Sequence, residues 1–327
     1  MKVYYFPSGI RNSFENASSR LRIYFLQDWL KQHDVQSSIQ GEHQFFSPLD
    51  ADIIIFQLRN FDLDIARKAH TKGIRIVYDI TDIRPLERED LKARLHETDV
   101  VVTLNETIKN FVSYVDPDWK SYKTIRDCID YIKNPLPFRA HQKKTDFEVV
   151  FSTNPASLIN IRGCIHPLIQ LRQKNKFKFT CISGKQVNLD PHYRGITEEM
   201  AWLNPQWIDW NFNTFAKNFK SGDMAVAPQS KIDKPETKLR ESIALNVPIV
   251  SSKIPSHWKF AMDTHTTEFC CENSDIDGWY EALEKMCNPE VRNDFLIKTI
   301  PYVWKNYSIE AIGAKWLTLF KELLSKK

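Results

Sequence analysis

The residues best placed to do chemistry lie between Asp223 and Val250. Met224–Ala227 reads as a buried strand, followed by a polar loop, a helix opening on Pro235, and a second buried strand over Pro248–Ser251. On that helix Lys238 and Glu241 stand three apart, so they share one face. A helix N-terminus offers unpaired N–H groups and partial positive charge, and with a lysine beside it suits a diphosphate. A carboxylate one turn further in can accept hydrogen bonds from ribose hydroxyls. The plain alternative makes Lys238 a solvated helix residue and Glu241 its ion-pair partner. Asp233, eight residues before Glu241, could cap the helix or soften its dipole.

Three other stretches offer groups to a ligand. Gly9 lets a backbone approach closely, and Ser18 or Ser19 can cap a helix with Arg20 in its first turn. Arginine presents a planar fork to phosphate or carboxylate; the alternative leaves Arg20 and Arg22 solvated. Asp79 and Asp82 follow an apolar strand, where open α/β sheets collect ligands. They could orient a hydroxyl or take its proton, or cap a helix beginning near Pro85. Ser152, Thr153 and Asn154 present hydroxyl, amide and backbone donors to phosphate oxygens, or make an ordinary turn before Pro155. Arg162 is a looser candidate for the same anion. Ser183–Lys185 and Trp210 close two further strands, where the indole could stack on a base or belong to the core.

These groups need a scaffold, and the chain writes one by alternation. Apolar runs at Val3–Phe6, Ile53–Gln57, Ile74–Ile80 and Val100–Leu104 predict strands in the first half. Glu148–Ser152, Phe177–Ser183, Ile208–Trp210, Met224–Ala227, Pro248–Ser251 and Glu268–Cys271 predict strands in the second. Amphipathic stretches such as Ser18–Gln32 and Leu63–Thr71 fall between, which argues for parallel sheets in βαβ units. Residues 134–145, with two prolines and a basic run, read as a linker. The chain therefore divides into domains at 1–138 and 146–305, with a terminal segment 306–327 whose Ile312, Trp316, Leu319 and Leu323 share a helical face.

Composition excludes several classes. The 327 residues suffice for two α/β domains, and a net charge of +4 lacks the dense basic signature of a dedicated nucleic-acid binder. The first residues read as a strand and its loop, without the long apolar region of a signal peptide. No apolar run approaches the roughly 20 residues that span a bilayer. The six cysteines form no C-x-x-C pair and read as buried thiols of a reducing cytosol. The D-x-D triplets at 50–52, 62–64 and 275–277 fall in loops or helix starts, and the histidines show no ligand spacing, so no metal or cofactor is expected.

The segment around Lys238 resembles the nucleotide-sugar site of GT-B glycosyltransferases, specifically the large retaining family with a Glu-x7-Glu signature. Three stretches add to the likeness: Asp99–Asn105 as the last strand of the first domain, Ile129–Pro135 before the linker, and Val149–Pro155 as the first strand of the second domain. Three features depart from it. Asp233 stands where the first glutamate would be, the glycine pair after the first strand is reduced to Gly9, and the glycine-rich tetrad before the helix is absent.

The resemblance implies two Rossmann-like doubly wound α/β domains facing across a cleft, with the terminal helix crossing back to the first. It implies transfer of a glycosyl group from a UDP- or GDP-sugar to a hydroxyl of a glycan, lipid-linked or other acceptor, with retention, in cell-surface glycan or glycoconjugate synthesis. Lys238 would stabilise the departing diphosphate and Glu241 the ribose. Gly9, Arg20 and Ser152–Asn154 would hold the donor, Asp233 would position its sugar, and Asp79 and Asp82 would hold the acceptor, with Asp82 taking its proton. Localisation is expected in the cytoplasm, with peripheral contact at the inner membrane face open. Three alternatives stand beside this reading: a nucleotide-sugar epimerase of the same fold, a non-catalytic sugar-binding protein, and a nucleic-acid-modifying glycosyltransferase using the lysines around Lys143, Lys174 and Lys176.

Overall fold

The computed structural model describes residues 1–8, 17–41, 45–83, 88–129, 131–132, 134–145 and 147–325. It divides into one unit of Met1–Asp130 with Asn306–Lys327 and a second of Tyr131–Lys305. Each holds a six-stranded sheet in which every pairing is parallel. Doubly wound α/β architecture is thus present twice.

In the first unit the strands are β1 (Lys2–Phe6), β2 (Gln36–Ile39), β3 (Ile53–Gln57), β4 (Arg75–Ile80), β5 (Val100–Thr103) and β6 (Tyr122–Thr124). They lie in the order β2-β1-β3-β4-β5-β6. Side chains alternate between two cores, as the period of two requires. Tyr4, Phe6, Ile54, Phe56, Ile76 and Tyr78 pack on one face with Ala66, Leu95 and Ile108 of the crossover helices. Val3, Tyr5, Ile53, Ile55, Val77 and Val100 pack on the other. That second face is covered by the helical stretch 17–31 and by helix Ile309–Leu324, which contributes Ile312, Trp316, Leu319, Phe320 and Leu323.

The stretch 17–31 is not a uniform α-helix. A π-helical segment, Arg20–Tyr24, interrupts it, and such segments often mark functional or strained positions. Asp62 and Asn105 cap the helices Leu63–Thr71 and Glu106–Val115 through their side-chain oxygens.

The second unit contains β7 (Phe147–Ser152), β8 (Phe177–Ser183), β9 (Gln206–Asp209), β10 (Met224–Ala227), β11 (Ile249–Ser252) and β12 (Cys270–Cys271). Their order is β12-β11-β10-β7-β8-β9. The proline-rich stretch read as a linker is bound to this unit: the His141 backbone N–H donates to Asn293 Oδ1 at 2.7 Å, and Lys144 pairs with Asp223 at 2.7 Å. No disulfide joins any of the six cysteines. Among the described residues no helix is long and apolar enough to cross a membrane.

Candidate functional site

In a parallel sheet wound in both directions, a crevice opens where the strand order reverses, beyond the carboxyl ends of the strands. In the second unit the reversal lies between β7 and β10, which are neighbours with Val226 opposite Phe151. The residues following these two strands are Thr153–Asn154 and the loop 228–236, and helix Thr237–Ala244 follows that loop. The helix begins two residues later than Pro235 suggests, because Glu236 occupies the N-cap position and makes no side-chain cap.

Lys238 and Glu241 leave this helix on the same side and line a narrow cavity with Ser152, Phe215, Phe219, Val226 and Ile249. Lys238 is only partly buried as a residue, but its Nζ is sealed from solvent with no hydrogen-bond partner. The ammonium lies 5.5 Å over the Phe151 ring, a weak cation–π contact. Burial pushes its pKa down to about 8, with Glu241 and Cys181 acting the other way. An enclosed cation without a partner is costly, and costs this kind of site until an anion arrives.

Thr153 and Asn154 continue from Ser152. The Thr153 backbone N–H donates to the Ile182 carbonyl at 3.0 Å, while its Oγ1 is buried and unpartnered. Asn154 Oδ1 accepts from the Ser157 N–H at 2.8 Å, which fixes the 3-10 turn Pro155–Gly163. Asp233 is 8% exposed within the loop ahead of the helix. Ser152, Lys238 and Glu241 therefore meet at one cavity, with Thr153 and Asn154 at the same strand end. Arg162 does not join them: it is paired with Glu199 in an exposed bidentate contact, which corrects its reading as an anion ligand.

In the first unit the order reverses between β1 and β3. Gln57, the last residue of β3, is the hub there. Its Oε1 accepts from the Ser8 N–H at 3.0 Å and the Ser19 hydroxyl at 3.2 Å, and its Nε2 donates to Asp79 Oδ2 at 3.0 Å. Asp79 is 2% exposed and held by the Arg22 guanidinium at 2.6–3.0 Å. Arg22 also reaches the Ile125 carbonyl at 2.8 Å and Asp127 at 3.1 Å. Both Asp79 oxygens are thus committed within the fold, so its geometry is that of a buried strut, not an exposed hydroxyl ligand. Arg22, which the plain alternative leaves solvated, is 2% exposed for the same reason. Asp82 is partly exposed beyond β4, and Arg20 is 3% exposed in the π-helical segment. Gly9 lies outside the described residues.

Sequence reasoning missed the Gln57–Asp79–Arg22–Asp127 network, which joins residues far apart in the chain. It also missed the cavity-lining Phe215 and Phe219. Their spacing of four on an amphipathic helix was the available signal. Of the acidic triplets, Asp62 and Asp275 cap helices and Asp52 Oδ2 accepts from the Lys2 N–H. Among the described residues no group of three or more His, Cys, Asp or Glu is placed to hold a metal ion.

Two six-stranded parallel sheets, each wound in both directions, define the class: this is the GT-B fold. Solved structures share it across nearly the whole chain. The Anabaena protein HepE in complex with UDP and glucose superposes with a TM-score of 0.72, at 9% identity, over 98% of this chain and 99% of that one. A glycosyltransferase from Rickettsia africae ESF-5 gives a TM-score of 0.71 at 12% identity, over 100% and 99% of the two chains. An Escherichia coli structure described as trehalose-6-phosphate bound with UDP-2-fluoro glucose gives 0.62 at 13% identity, over 82% and 73%. No family model matches the sequence, and no curated protein is similar enough to match it.

Proposed function

We propose that this protein is a glycosyltransferase that moves a sugar from a nucleotide-sugar to an acceptor hydroxyl. The observation that carries the reading is the Lys238 ammonium, enclosed without a partner beside Ser152 and Glu241 at the reversal point of the second sheet. A diphosphate supplies the missing counter-charge once the cavity, about 10 Å³ in this structure, opens to admit one of its oxygens. Its negative charge grows as the glycosyl bond breaks, so a fixed cation there stabilises the departing group more than the bound donor.

The second unit is then the donor side. Glu241 accepts the ribose hydroxyls, Ser152, Thr153 and Asn154 hold phosphate oxygens, and Asp233 positions the donor sugar. The first unit is the acceptor side, with Asp82 at the hydroxyl that attacks, while Arg20, in that unit's π-helical segment, is assigned to the donor. Asp79 acts through Arg22 as a positioning residue. Transfer with retention rests on the resemblance to the Glu-x7-Glu family alone, and the GT-B likeness with UDP-bound structures supports a UDP-sugar. A glycan or glycoconjugate acceptor, in cell-surface synthesis, fits the same reading.

The test is thermal stabilisation by a panel of UDP-, GDP-, ADP- and dTDP-sugars, followed by calorimetry on the best of them. A bound donor raises the melting temperature by mass action. One nucleotide class should stabilise the wild type, and Lys238→Ala should abolish the shift. If no nucleotide-sugar stabilises the protein, or if Lys238→Ala leaves the shift intact, the reading fails.

A further inference from the structure

The loop 228–236 has no glycine and no residue with positive φ. It must therefore hold its course with ordinary backbone conformations, and side chains fasten it. Ser252, at the end of β11, accepts from the Gln229 N–H at 2.7 Å and donates to Asn273 Oδ1 at 2.5 Å. Asn273 Nδ2 donates to the Gln229 carbonyl at 2.9 Å. Gln229 Oε1 accepts from Asn160 Nδ2 at 3.2 Å and from the Lys231 N–H at 3.1 Å. The Ser230 hydroxyl donates to Asn160 Oδ1 at 2.8 Å. At the far end of the loop, Ser256 Oγ donates to the Lys234 carbonyl at 2.5 Å.

These groups come from the segments after β7, β10, β11 and β12, four neighbouring strands around the reversal point. Close approach is built in: a Cβ on Gly163 would sit 2.8 Å from Asn273 Oδ1. Asp233 lies between the two ends so fastened.

We infer that the Asn160–Gln229–Ser252–Asn273 cluster is a clamp that holds Asp233 in register with the donor sugar, and so governs recognition of the glycosyl group separately from the diphosphate. The inference rests on the donor-site reading above. It follows from a division of labour: Lys238 and Glu241 sit on the helix, whereas Asp233 sits on the clamped loop. A network whose members are all satisfied fixes one geometry, and loss of one member releases the loop. The clamp residues are positioning residues, since none need touch the donor.

Calorimetry with UDP and with UDP-glucose, on wild type and variants, separates the two roles. In Asn273→Leu and Ser252→Ala the dissociation constant for UDP should stay within about twofold, while that for UDP-glucose rises about tenfold, the size of one lost charge-assisted hydrogen bond. Ser252→Thr, which keeps the hydroxyl, should restore it. Asp233→Ala should match the clamp variants, and the double variant Asp233→Ala/Ser252→Ala should be no worse than either alone. Equal weakening of both ligands, an unchanged ratio, or additive losses would overturn the clamp while leaving the donor site standing. Should Asn273→Leu fail to fold, the two Ser252 variants decide. Where the panel above shows another base to be preferred, its nucleoside diphosphate and nucleotide-sugar replace UDP and UDP-glucose; a wild type that binds no nucleotide-sugar of the panel overturns the donor-site reading, and this inference with it.

Discussion

The Lys238 ammonium is enclosed, unpartnered and pushed down to about pKa 8 by burial, from 10.5 for an ordinary lysine. In the unfolded chain it keeps its proton up to about 10.5, so between these values the unfolded state binds more protons. Stability of the ligand-free protein should therefore rise with pH through that window, by an increment that Lys238→Met abolishes. Lys238→Met should also raise stability at pH 7 by roughly 1–3 kcal/mol, because it removes a buried donor left unsatisfied. The same change should weaken diphosphate binding about tenfold to a hundredfold. In the wild type that binding should fade as pH rises past about 8. Melting curves and titrations of both proteins from pH 6.5 to 10 would show it; parallel curves would refute it. The two aspartates beyond β4 should behave oppositely. Asp79→Ala takes from the buried Arg22 its bidentate carboxylate, leaving it Asp127 and the Ile125 carbonyl, and should cost about 3 kcal/mol. Asp82→Ala should change stability by no more than about 0.5 kcal/mol, yet lower turnover with acceptor. Chemical denaturation alongside acceptor-dependent assays would distinguish them, and equal destabilisation would argue against a site role for Asp82.

At the scale of elements, the donor cavity depends on how closely the ends of β7 and β8 approach. Gly184 follows β8, and a Cβ there would lie 2.3 Å from Pro155 Cγ and 3.0 Å from its Cδ. The proline ring cannot swing aside as a flexible chain could, and Asn154 pins the turn that it opens. Gly184→Ala should therefore cost about 1–3 kcal/mol by overpacking, and should raise the donor KM because the Ser152–Asn154 end must shift. Thermal melting and donor kinetics check both halves; an unchanged KM would detach this strand end from donor binding. Ten of the strands were legible as apolar runs, because a parallel strand covered on both faces is apolar throughout. The two that were not, Gln36–Ile39 and Tyr122–Thr124, are the edges of the first sheet. These two edges are short and polar, so periodicity passes over them, whereas the edges of the second sheet carry Trp207 and Ile208 in one case and Cys270 and Cys271 in the other. The π-helical Arg20–Tyr24 left no mark in composition either. At the site, the shared helix face of Lys238 and Glu241 was written in their spacing. The enclosure of Nζ was not, because it depends on Phe151 of another strand. Asp79 could have been read better: it shares the parity of Val77, and that face is roofed by the helical stretch 17–31. The clamp around Gln229 had no local signal, since its members span residues 160–273.

For the whole molecule, the first unit is discontinuous in sequence and is completed only by Asn306–Lys327. Helix Ile309–Leu324 supplies Ile312, Trp316, Leu319, Phe320 and Leu323 to one of its two cores, and Trp316 lies 5.3 Å from the buried Arg22 guanidinium. Each such side chain contributes about 1.5–3 kcal/mol on burial. Five together are comparable to the roughly 5–15 kcal/mol by which a domain is stable. The donor-site candidates Ser152, Thr153, Asn154, Asp233, Lys238 and Glu241 all lie in the second unit, Tyr131–Lys305. A chain ending at Lys305 should therefore lose the first unit, exposing residues 1–130 to limited proteolysis, and should lose transfer altogether. The protease-resistant second unit should still bind UDP with an affinity within a few fold of the intact protein, because no residue assigned to the diphosphate has been removed. Proteolysis followed by mass spectrometry, with UDP titration of the surviving core, separates the outcomes. A truncated protein whose second unit stays folded but binds no UDP would show that the diphosphate needs groups from the first, and that Lys238 alone does not define its site.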